Sequence, residues 1–412
     1  MVLRPLPGRR GYTAAMVAAQ MLAQIGGFAL PALLPTYMTR WLLSATEAGW
    51  LVGAFFAAYV VMVPILLALT DRYPARYVYL FGTGLTALSH LGFALMAGGF
   101  WSALIFRILA GAGWAATYMP GLKILADPLD GDAQSRVVSW HALGVGISNA
   151  ASFAIAGWIA ALAGPEAAFL VGAAAAAGAF LIAAVLVRGA PRKPATAPLR
   201  ALLDYRPVLR NRPAMAWIAG YTVHTWEMAV LRAWGVTFFA TAIAWHGAPD
   251  WLPKPTTLFT AAGLVGVLVS ITGNETAQRF GRLRVVVLAM SAAAVLSVLA
   301  GWSAAASSTL AVVVVIVWNA AIYLDSAALT AGTVAAADKD RGGATMGLHS
   351  MCGYAGGFVG PPLAGFVLDL AGRDRLLGWG LAFGHLAVIT LLGLAVLLWF
   401  ARPRRAPAPV PA

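Results

Sequence analysis

Long apolar runs, separated by short polar or turn-forming segments, cover most of the chain. Each run is about as long as, or longer than, the roughly 20 apolar residues that an α-helix needs to cross a bilayer. We number these runs as spans 1 to 12, and they lie at residues 12–38, 46–70, 77–97, 99–125, 137–164, 166–187, 214–244, 255–274, 285–304, 308–334, 344–369 and 378–401. The pattern therefore predicts an all-α membrane protein with twelve transmembrane helices in two six-helix halves.

A polar segment between spans 6 and 7 divides the chain. Residues 188–213 hold seven Lys or Arg and several prolines, a composition typical of an exposed linker. We expect an N-terminal six-helix half over residues 1–188, a basic cytoplasmic linker over 189–213 and a C-terminal six-helix half over 214–412. Within the linker, the sequence LRALLDY at 199–205 predicts a short helix at the membrane surface.

Composition narrows the class of protein further. Hydrophobic residues make up 61% of the chain and charged residues only 10%, whereas soluble domains carry about 25% charged residues. A soluble enzyme and a disordered protein are therefore excluded. The single cysteine, Cys352, excludes internal disulfides and thiolate metal clusters. The sequence has neither metal-ligand spacing nor a Gly-rich phosphate-binding motif, so we expect no cofactor and no ATP coupling.

The net charge of +13 follows from where the basic residues lie. Of the 28 Lys and Arg, 21 fall on one side of the predicted membrane, four on the other side and three within spans. The positive-inside rule makes the basic side cytoplasmic, so we expect a multi-pass protein of the cell inner membrane with both termini in the cytoplasm. Nucleic acid is then not an expected partner. The first run is too long for a signal peptide, and we expect it to be an uncleaved span.

The two halves resemble each other in sequence. Residues 130–164 align without a gap with residues 338–372, at a constant offset of 208. The offset pairs Asp130 with Asp338, Asp132 with Asp340, His141 with His349, Gly157 with Gly365 and Gly164 with Gly372. The chain is therefore expected to contain two parallel copies of one six-helix unit.

Loop motifs recur at matching positions of the two halves. The loop after span 2 reads LALTDRYPAR at 67–76, the loop after span 8 reads GNETAQRFGR at 273–282, and span 4 contains RILAGAG at 107–113. Together with the two halves, these motifs resemble the major facilitator superfamily, whose loop signature is roughly G-x-x-x-D-R-x-G-R-[RK] and whose span 4 carries R-x-x-x-G-x-G. The resemblance covers nearly the whole chain, although the first loop lacks both glycines and Gln278 replaces the acid in the second.

The resemblance implies a transporter that works by alternating access, with spans 1, 4, 7 and 10 around a central cavity and spans 3, 6, 9 and 12 facing lipid. It also implies a charge-assisted latch between the halves on the cytoplasmic side. The candidate residues of this latch are Asp71, Arg72, Arg76, Arg279, Gly281 and Arg282. The alternative is that the arginines only fix the orientation of the protein in the membrane.

Smaller features of the spans add two expectations. Gly111 and Gly113, two residues apart in span 4, should lie at helix contacts and not face lipid. The repeat-related pair His141 and His349 suggests a shared cytoplasmic gate, or alternatively hydrogen bonds across the boundary between the halves.

Four charged candidates stand out deep within predicted spans, where a charge costs about 2.5–3.5 kcal/mol on insertion scales. They are Arg107 in span 4, Glu227 and Arg232 in span 7, and Asp325 in span 10. All four fall on spans that the resemblance places at the cavity. Glu227 and Arg232 lie about 140° apart around a helix, so each should find its partner elsewhere. That partner is either a substrate or proton, or a structural counter-ion such as Arg107 for Glu227.

Neutral and aromatic groups accompany these charges. On span 7, Tyr221 and His224 share a helix face with Arg232. On span 10, Asn319 lies near Asp325, whose carboxyl is a candidate proton carrier or a counter-ion for an arginine. Gln20 and Gln24 share a face of span 1, where they suit either hydrogen bonds to a ligand or contacts between helices.

These observations predict a secondary transporter of a small solute, and not an enzyme. We expect proton-coupled symport of a small organic anion, in which an arginine binds the anion and an acid carries the proton. The alternative is a proton-coupled exporter of amphipathic compounds, which the aromatic-rich cavity spans favour. A membrane-embedded transferase is less favoured because no nucleophile–base pair is evident. We expect a monomer whose partners are the substrate, protons and the lipid bilayer.

Overall fold

A computed structural model of the protein describes residues 10–187, 204–339 and 341–402, without the side chains of Leu67 and Asp71. Its described residues form α-helices joined by short turns, and eleven helices are long and apolar enough to span a membrane. They are spans 2 to 12, at Ala45–Arg72, Ala75–Met96, Phe100–Ala126, Gly131–Ala163, Pro165–Leu186, Arg212–His246, Pro255–Phe280, Arg282–Ser303, Ser308–Ala336, Gly342–Ala371 and Leu376–Ala401. With span 1, the predicted fold class of twelve transmembrane helices is confirmed.

Span 1 differs from the single helix that its apolar run suggests. It consists of three consecutive helices, Arg10–Gln24, Ala29–Ala32 and Leu34–Arg40. At the break, Gly26 lies so close to the ring of His90 that a Cβ there would lie 2.5 Å from the His90 Nε2 atom. The freed backbone groups find side-chain partners: Phe28 N donates to Ser152 Oγ at 3.2 Å, and Arg107 donates to the Gly27 carbonyl at 3.4 Å. Non-helical backbone is tolerated at membrane depth only when it is satisfied in this way.

The connecting segments divide between two faces of the molecule. We call the face with Arg10, the short helix Arg206–Arg210 and Arg402 the linker face, and the opposite face, with the turns at 41–44 and 372–375, the distal face. The predicted surface helix at 199–205 falls mostly outside the described residues; its last two positions, Asp204 and Tyr205, are not helical.

The repeat is visible in how spans 5 and 11 end. Gly164 and Gly372, which the 208-residue offset pairs, both follow the last helical residue, with φ angles of +90° and +92°. Residues with a Cβ rarely adopt this backbone conformation, so glycine is required at both positions.

The two halves meet along two pairs of helices, span 2 with span 11 and span 5 with span 8. Gly49 of span 2 packs against span 11, and a Cβ there would lie 2.5 Å from the Pro361 carbonyl oxygen. The repeat-related glycines both lie at this boundary: a Cβ on Gly157 would overlap Thr256 of span 8, and one on Gly365 would overlap the Ala45 carbonyl of span 2. We call this boundary the seam. On the distal side, it is closed.

The expectation for Gly111 and Gly113 is confirmed. A Cβ on Gly111 would overlap the carbonyl oxygen of Phe55 in span 2, and a Cβ on Gly113 would overlap the hydroxyl of Thr86 in span 3. The two glycines therefore allow span 4 to approach two neighbouring helices at once.

Candidate functional site

Arg232 of span 7 lies beside a small cavity between the two halves. The cavity measures about 10 Å³, which is room for roughly one water molecule. Its lining residues are Gly146, Asn149, Ala150 and Phe153 of span 5, Arg232 of span 7, Phe259 and Gly263 of span 8, and Asn319 and Tyr323 of span 10. Among the described residues, Arg232 forms no ion pair with a carboxylate. Its positive charge therefore borders the cavity without a counter-ion.

The guanidinium of Arg232 is held by aromatic side chains. One Nη atom donates to the hydroxyl of Tyr323 at 2.5 Å, and the group lies 4.9 Å from the ring centroid of Phe28. Phe28 in turn stacks on Phe153 at 5.5 Å, and Phe153 contacts Phe259 of the other half at 4.5 Å. Since Phe153 and Phe259 lie nearer to the distal ends of their spans, these rings separate Arg232 from the distal face.

Two amide side chains complete the cavity. Asn319 donates to the Ala262 carbonyl at 2.6 Å, so its amide is anchored to span 8. Asn149 is 7% exposed, and its Oδ1 atom has no hydrogen-bond partner among the described residues. A buried polar atom without a partner is costly, and it is satisfied when a ligand or water enters.

A second polar group lies nearer to the linker face, where His224 contacts span 10. Its Nδ1 atom lies 2.8 Å from an Asp325 carboxylate oxygen and 3.0 Å from the Ile322 carbonyl oxygen. The Ile322 carbonyl can only accept, so Nδ1 donates to it, whereas Asp325 Oδ1 lies within ion-pair distance without a hydrogen-bond partner among the described residues. Both side chains are buried, at 2% and 3% exposure. Asp325 therefore lies beside a histidine of span 7, and not beside an arginine as the counter-ion alternative expected.

Tyr221 and His349 continue this group toward the linker face. The Tyr221 ring stacks on His349 with 3.8 Å between centroids, and on His224 with 5.7 Å. His349 also approaches the hydroxyls of Thr333 at 3.0 Å and Thr330 at 3.4 Å. All of these residues belong to the C-terminal half.

His141, the repeat partner of His349, also lies near a tyrosine of its own half, but the two rings are tilted and not stacked. Its ring lies 5.6 Å from that of Tyr118. The two histidines therefore do not touch each other across the seam in this structure, and neither forms a described hydrogen bond to the opposite half.

Glu227 is separated from both arginines. Its carboxylate accepts a hydrogen bond from Thr390 of span 12 at 2.7 Å, and the side chain is 1% exposed. As the helix geometry predicts, Glu227 does not pair with Arg232, and it does not pair with Arg107 either. Its position against a peripheral span favours a structural contact within the C-terminal half.

Arg107 is buried at 2% exposure and serves the backbone of neighbouring spans. Its Nε atom donates to the Leu51 carbonyl at 3.2 Å, in addition to the bond to Gly27, and its guanidinium lies 4.7 Å from the ring centroid of Phe55. These contacts hold the break in span 1 against span 2. They leave Arg107 facing helix backbones, whereas Arg232 faces a cavity.

The two glutamines of span 1 face span 4. Gln24 accepts a hydrogen bond from the indole of Trp114, while both amide atoms of Gln20 have no partner among the described residues. Gly121 leaves space for the Gln20 amide, since a Cβ there would overlap its oxygen. The glutamines therefore lie within the N-terminal half, away from the Arg232 cavity.

The candidate latch residues lie at the linker face. The side chain of Asp71 is outside the described residues. Arg72 is exposed, and Arg76 donates to the Ala184 carbonyl of span 6 at 3.0 Å, within its own half. Gly281 ends span 8 with a φ angle of +92°, which explains the glycine of this loop motif. The neighbouring Arg279 is exposed, and the buried Nε of Arg282 has no described partner.

Three partners of the candidate residues could not be singled out by charge within a span. Asn149, Phe28 and Thr390 are neutral residues in apolar runs, and each acquires its role only through a neighbour on another helix. Asn149 alone carried a signal, because an amide in an apolar run is uncommon.

The arrangement of two six-helix halves with polar groups at their boundary defines a polytopic membrane transporter. The family model of the Major Facilitator Superfamily matches residues 16–257 and 228–412. This chain belongs to the major facilitator superfamily. Membership of this family makes it a multi-pass membrane protein of the transporter class.

Comparison with individual proteins places the chain among diverse relatives. Human protein spinster homolog 1 is 23% identical over 279 residues, which are 65% of this chain and 53% of that protein. The chain thus spans about half the length of this curated relative. A bacterial homolog of the human lysosomal transporter Spinster, solved in an inward-facing and occupied conformation, is similar over 98% of this chain and 100% of its own, at 15% identity and a TM-score of 0.78. The nucleoside transporter NupG is similar over 95% of this chain and 100% of its own, at 15% identity and a TM-score of 0.73.

Proposed function

We propose that this protein is a proton-coupled symporter of a small organic anion. The observation that carries the proposal is Arg232, a cation beside a cavity between the halves that forms no described ion pair with a carboxylate. An uncompensated charge at membrane depth is costly, so a substrate that supplies the opposite charge gains the full interaction. A carboxylate suits this site because a guanidinium offers it two parallel donors.

The neighbours of Arg232 support the same class of substrate. Tyr323 can donate its hydroxyl proton to an anion while it accepts from Arg232. Asn149 offers an amide with an unpartnered oxygen, which can accept from a hydroxyl or amino group next to the carboxylate. The cavity is small in the closed structure, so it receives one polar group, and the rest of the substrate extends along the seam.

The proton site in this proposal is the pair His224 and Asp325. The two side chains lie 2.8 Å apart and are buried. Arg232 and His224 lie eight residues apart on one helix, which is about 12 Å along its axis. At an effective dielectric constant of about 20, two unit charges at that separation interact by about 1.4 kcal/mol.

The sign of this interaction favours symport. An anion that neutralises Arg232 removes about 1.4 kcal/mol of repulsion against a proton on the His224–Asp325 pair. This corresponds to a roughly tenfold gain in proton affinity, and linkage requires the same gain in anion affinity when the proton is bound. Substrate and proton are then carried together in one direction.

Alternating access follows from the seam in this proposal. The distal side is closed by the contacts at Gly49 and Gly365 and by the aromatic contact of Phe153 with Phe259, so in this proposal the substrate reaches Arg232 from the linker face. We place the linker face in the cytoplasm of a cell inner membrane, with both termini on that side and the protein acting as a monomer, because the basic residues are concentrated there.

A second candidate function is the export of amphipathic compounds. It is favoured by a cluster of aromatic rings that crosses the seam at mid-depth. Tyr354 of span 11 lies 4.2 Å from the ring of Tyr59 and 5.6 Å from that of Trp114, both in the N-terminal half. Such rings can contact the apolar part of a substrate.

Transport by purified protein in proteoliposomes separates these functions. Under an imposed gradient, with the more acidic side at the distal face, the proposal expects accumulation of radiolabelled lactate, succinate or benzoate, abolished by Arg232→Ala. Gradient-driven efflux of an amphipathic dye without carboxylate uptake would instead support the exporter. Uptake that does not respond to the pH gradient would contradict proton coupling.

A further inference from the structure

We propose that Tyr323 is the positioning residue that couples anion binding at Arg232 to protonation of His224 and Asp325. This inference deepens the proposed function and rests on it. Tyr323 is the one side chain described here that borders both sites: it lines the Arg232 cavity, and its ring also contacts His224.

The hydroxyl of Tyr323 belongs to the anion site. It accepts a hydrogen bond from Arg232, which leaves its own proton free for a second acceptor. A carboxylate in the cavity can therefore accept from the Arg232 guanidinium and from the phenol together. In that geometry, the anion fixes the Tyr323 ring as well as the guanidinium.

The ring of Tyr323 belongs to the proton site. The two rings lie edge to face, with 6.3 Å between centroids and an interplanar angle of 82°. The Tyr323 ring also lies against Gly266 of span 8, where a Cβ would lie 2.7 Å from the ring. The contact with Gly266 limits how far the ring can move, so a shift of the ring that accompanies anion binding changes its contact with His224.

The backbone around Tyr323 reinforces the link. His224 contacts the carbonyl of Ile322 and the carboxylate of Asp325, which flank Tyr323 on the same turn of span 10. The carbonyl of Leu324 in this turn packs against Gly273 so closely that a Cβ there would overlap it. One turn of span 10, held against span 8 at two glycines, thus carries contacts to both sites.

The coupling moves one proton and breaks no other bond. The His224–Asp325 pair takes a proton from water when the anion is bound to Arg232, and returns it to water on the other face after the anion leaves. The titratable groups that face the pair are Tyr221 and Tyr323 through their rings, and His349 through its stack on Tyr221. Glu227, on the same span as His224, accepts from Thr390 and also lies within the range of a charge interaction with Asp325.

The test is Tyr323→Phe, which keeps the ring against Gly266 and removes the hydroxyl. Binding of lactate, succinate and benzoate to the purified full chain is measured by calorimetry at pH 8 and pH 6, and transport is measured in proteoliposomes. We expect the unsubstituted protein to bind at least one of these anions about tenfold more tightly at pH 6. In Tyr323→Phe, the affinity at pH 8 falls only a few-fold. The pH dependence shrinks below threefold, because an anion no longer held by the phenol does not stay where it cancels the charge of Arg232. Gradient-driven accumulation is then lost, while exchange of anion for anion continues.

Two further variants serve as a control and as an independent test. Tyr79→Phe is the control, because Tyr79 is a buried tyrosine of the other half whose hydroxyl has no described partner, so this variant should match the unsubstituted protein. Gly266→Ala displaces the ring while keeping the hydroxyl, and it should also flatten the pH dependence, which covers the case in which Tyr323→Phe does not fold.

The failures are distinguishable. A Tyr323→Phe protein that keeps the tenfold pH dependence overturns the coupling role and leaves the proposed function standing. Loss of binding at both pH values makes Tyr323 an anion ligand only and also overturns the inference. If none of the three anions binds to the unsubstituted protein, the proposed function fails, and this inference fails with it.

Discussion

Removing the carboxylate of Asp369 should open the distal side of the seam. Asp369 lies near the end of span 11 and accepts hydrogen bonds from the backbone of span 2, from Ala45 N at 2.8 Å and Thr46 N at 2.7 Å, and from the Thr46 hydroxyl at 2.5 Å. The start of span 2 also has its own capping box, in which Ser44 and Glu47 satisfy each other's backbone N–H groups. The first four backbone N–H groups of span 2 have no partner within the helix, and two of them are thus satisfied by a side chain of the C-terminal half.

The size of the effect follows from these contacts. Replacing a helix-capping side chain by alanine costs about 0.5–2 kcal/mol, and a carboxylate at a helix N-terminus adds about 0.3–1 kcal/mol. Water can partly replace the lost bonds because Asp369 is exposed at the distal face. We therefore expect Asp369→Ala to disfavour the closed distal seam by about 1–2 kcal/mol, which shifts the equilibrium between the two states by about 5- to 30-fold.

Distances between spin labels at cysteines measure this shift, in a background with the native cysteine replaced by serine. Labels replacing the exposed Trp101 and Trp251 report on the distal face, and labels replacing the exposed Tyr73 and Phe280 report on the linker face. Asp369→Ala should lengthen the first distance and shorten the second. Asp374→Ala, which removes a neighbouring exposed aspartate, is the control. Unchanged distributions for both pairs would refute the latch at Asp369.

Four other predictions concern the site and the seam. Arg232→Ala should weaken anion binding about 10- to 150-fold at constant pH, measured by calorimetry, because hydrogen bonds to a charged group contribute about 1.5–3 kcal/mol. Asp325→Asn should abolish gradient-driven accumulation while counterflow persists, whereas Glu227→Gln should keep both, since its amide oxygen still accepts from Thr390; equal effects of the two variants in proteoliposomes would reject Asp325 as the carrier. Gly365→Val should overpack the distal seam by about 1–3 kcal/mol and shift the label distances in the same direction as the loss of Asp369. Asp71→Asn, expected from the loop motif to release the linker-face latch, should shift them in the opposite direction; a shift in the same direction would contradict a latch there.

The sequence predicts most of the fold because the bilayer sets the length of each apolar run. The length of the apolar run does not predict the break in span 1. Two adjacent glycines are common in apolar helices, and the groups that stabilise the break, His90, Arg107 and Ser152, come from three other spans. Only the packed structure brings them together.

In the candidate site as well, the sequence predicts some features and not others. Helix geometry alone predicts that Glu227 and Arg232 do not pair, and the structure agrees. Their actual partners, Thr390 and Tyr323, lie 163 and 91 residues away along the chain, so no local pattern could identify them. The same limit applies to His224 and Asp325, which periodicity places on spans 7 and 10 without showing that they touch.

The repeat makes the differences between the halves informative. Gly157 and Gly365 occupy equivalent positions, and both allow close contact at the seam. The position equivalent to Asp369 is Ala161 at the 208-residue offset, so the seam between spans 5 and 8 lacks this carboxylate. That seam instead uses the neutral hydroxyl of Thr260, which donates to the Ala150 carbonyl at 2.8 Å.

An alternating-access protein must rearrange both helix pairs of the seam. Among the described contacts, only the pair of spans 2 and 11 carries a carboxylate, that of Asp369, which must separate from its partners when the distal face opens. The polar groups expected to act in transport are also distributed unequally between the two halves. In the C-terminal half, Arg232, Tyr323, His224 and Asp325 connect a cavity to a proton-bearing pair. In the N-terminal half, Arg107 is bound to backbone carbonyls. We therefore expect substitutions in the C-terminal group to change coupling at constant fold. Arg107→Ala should instead lower the thermal stability of the purified protein, because it removes the bonds that hold the break in span 1 against span 2 and leaves a cavity in their place. An Arg107→Ala protein with unchanged stability and lost coupling would reverse this division of roles.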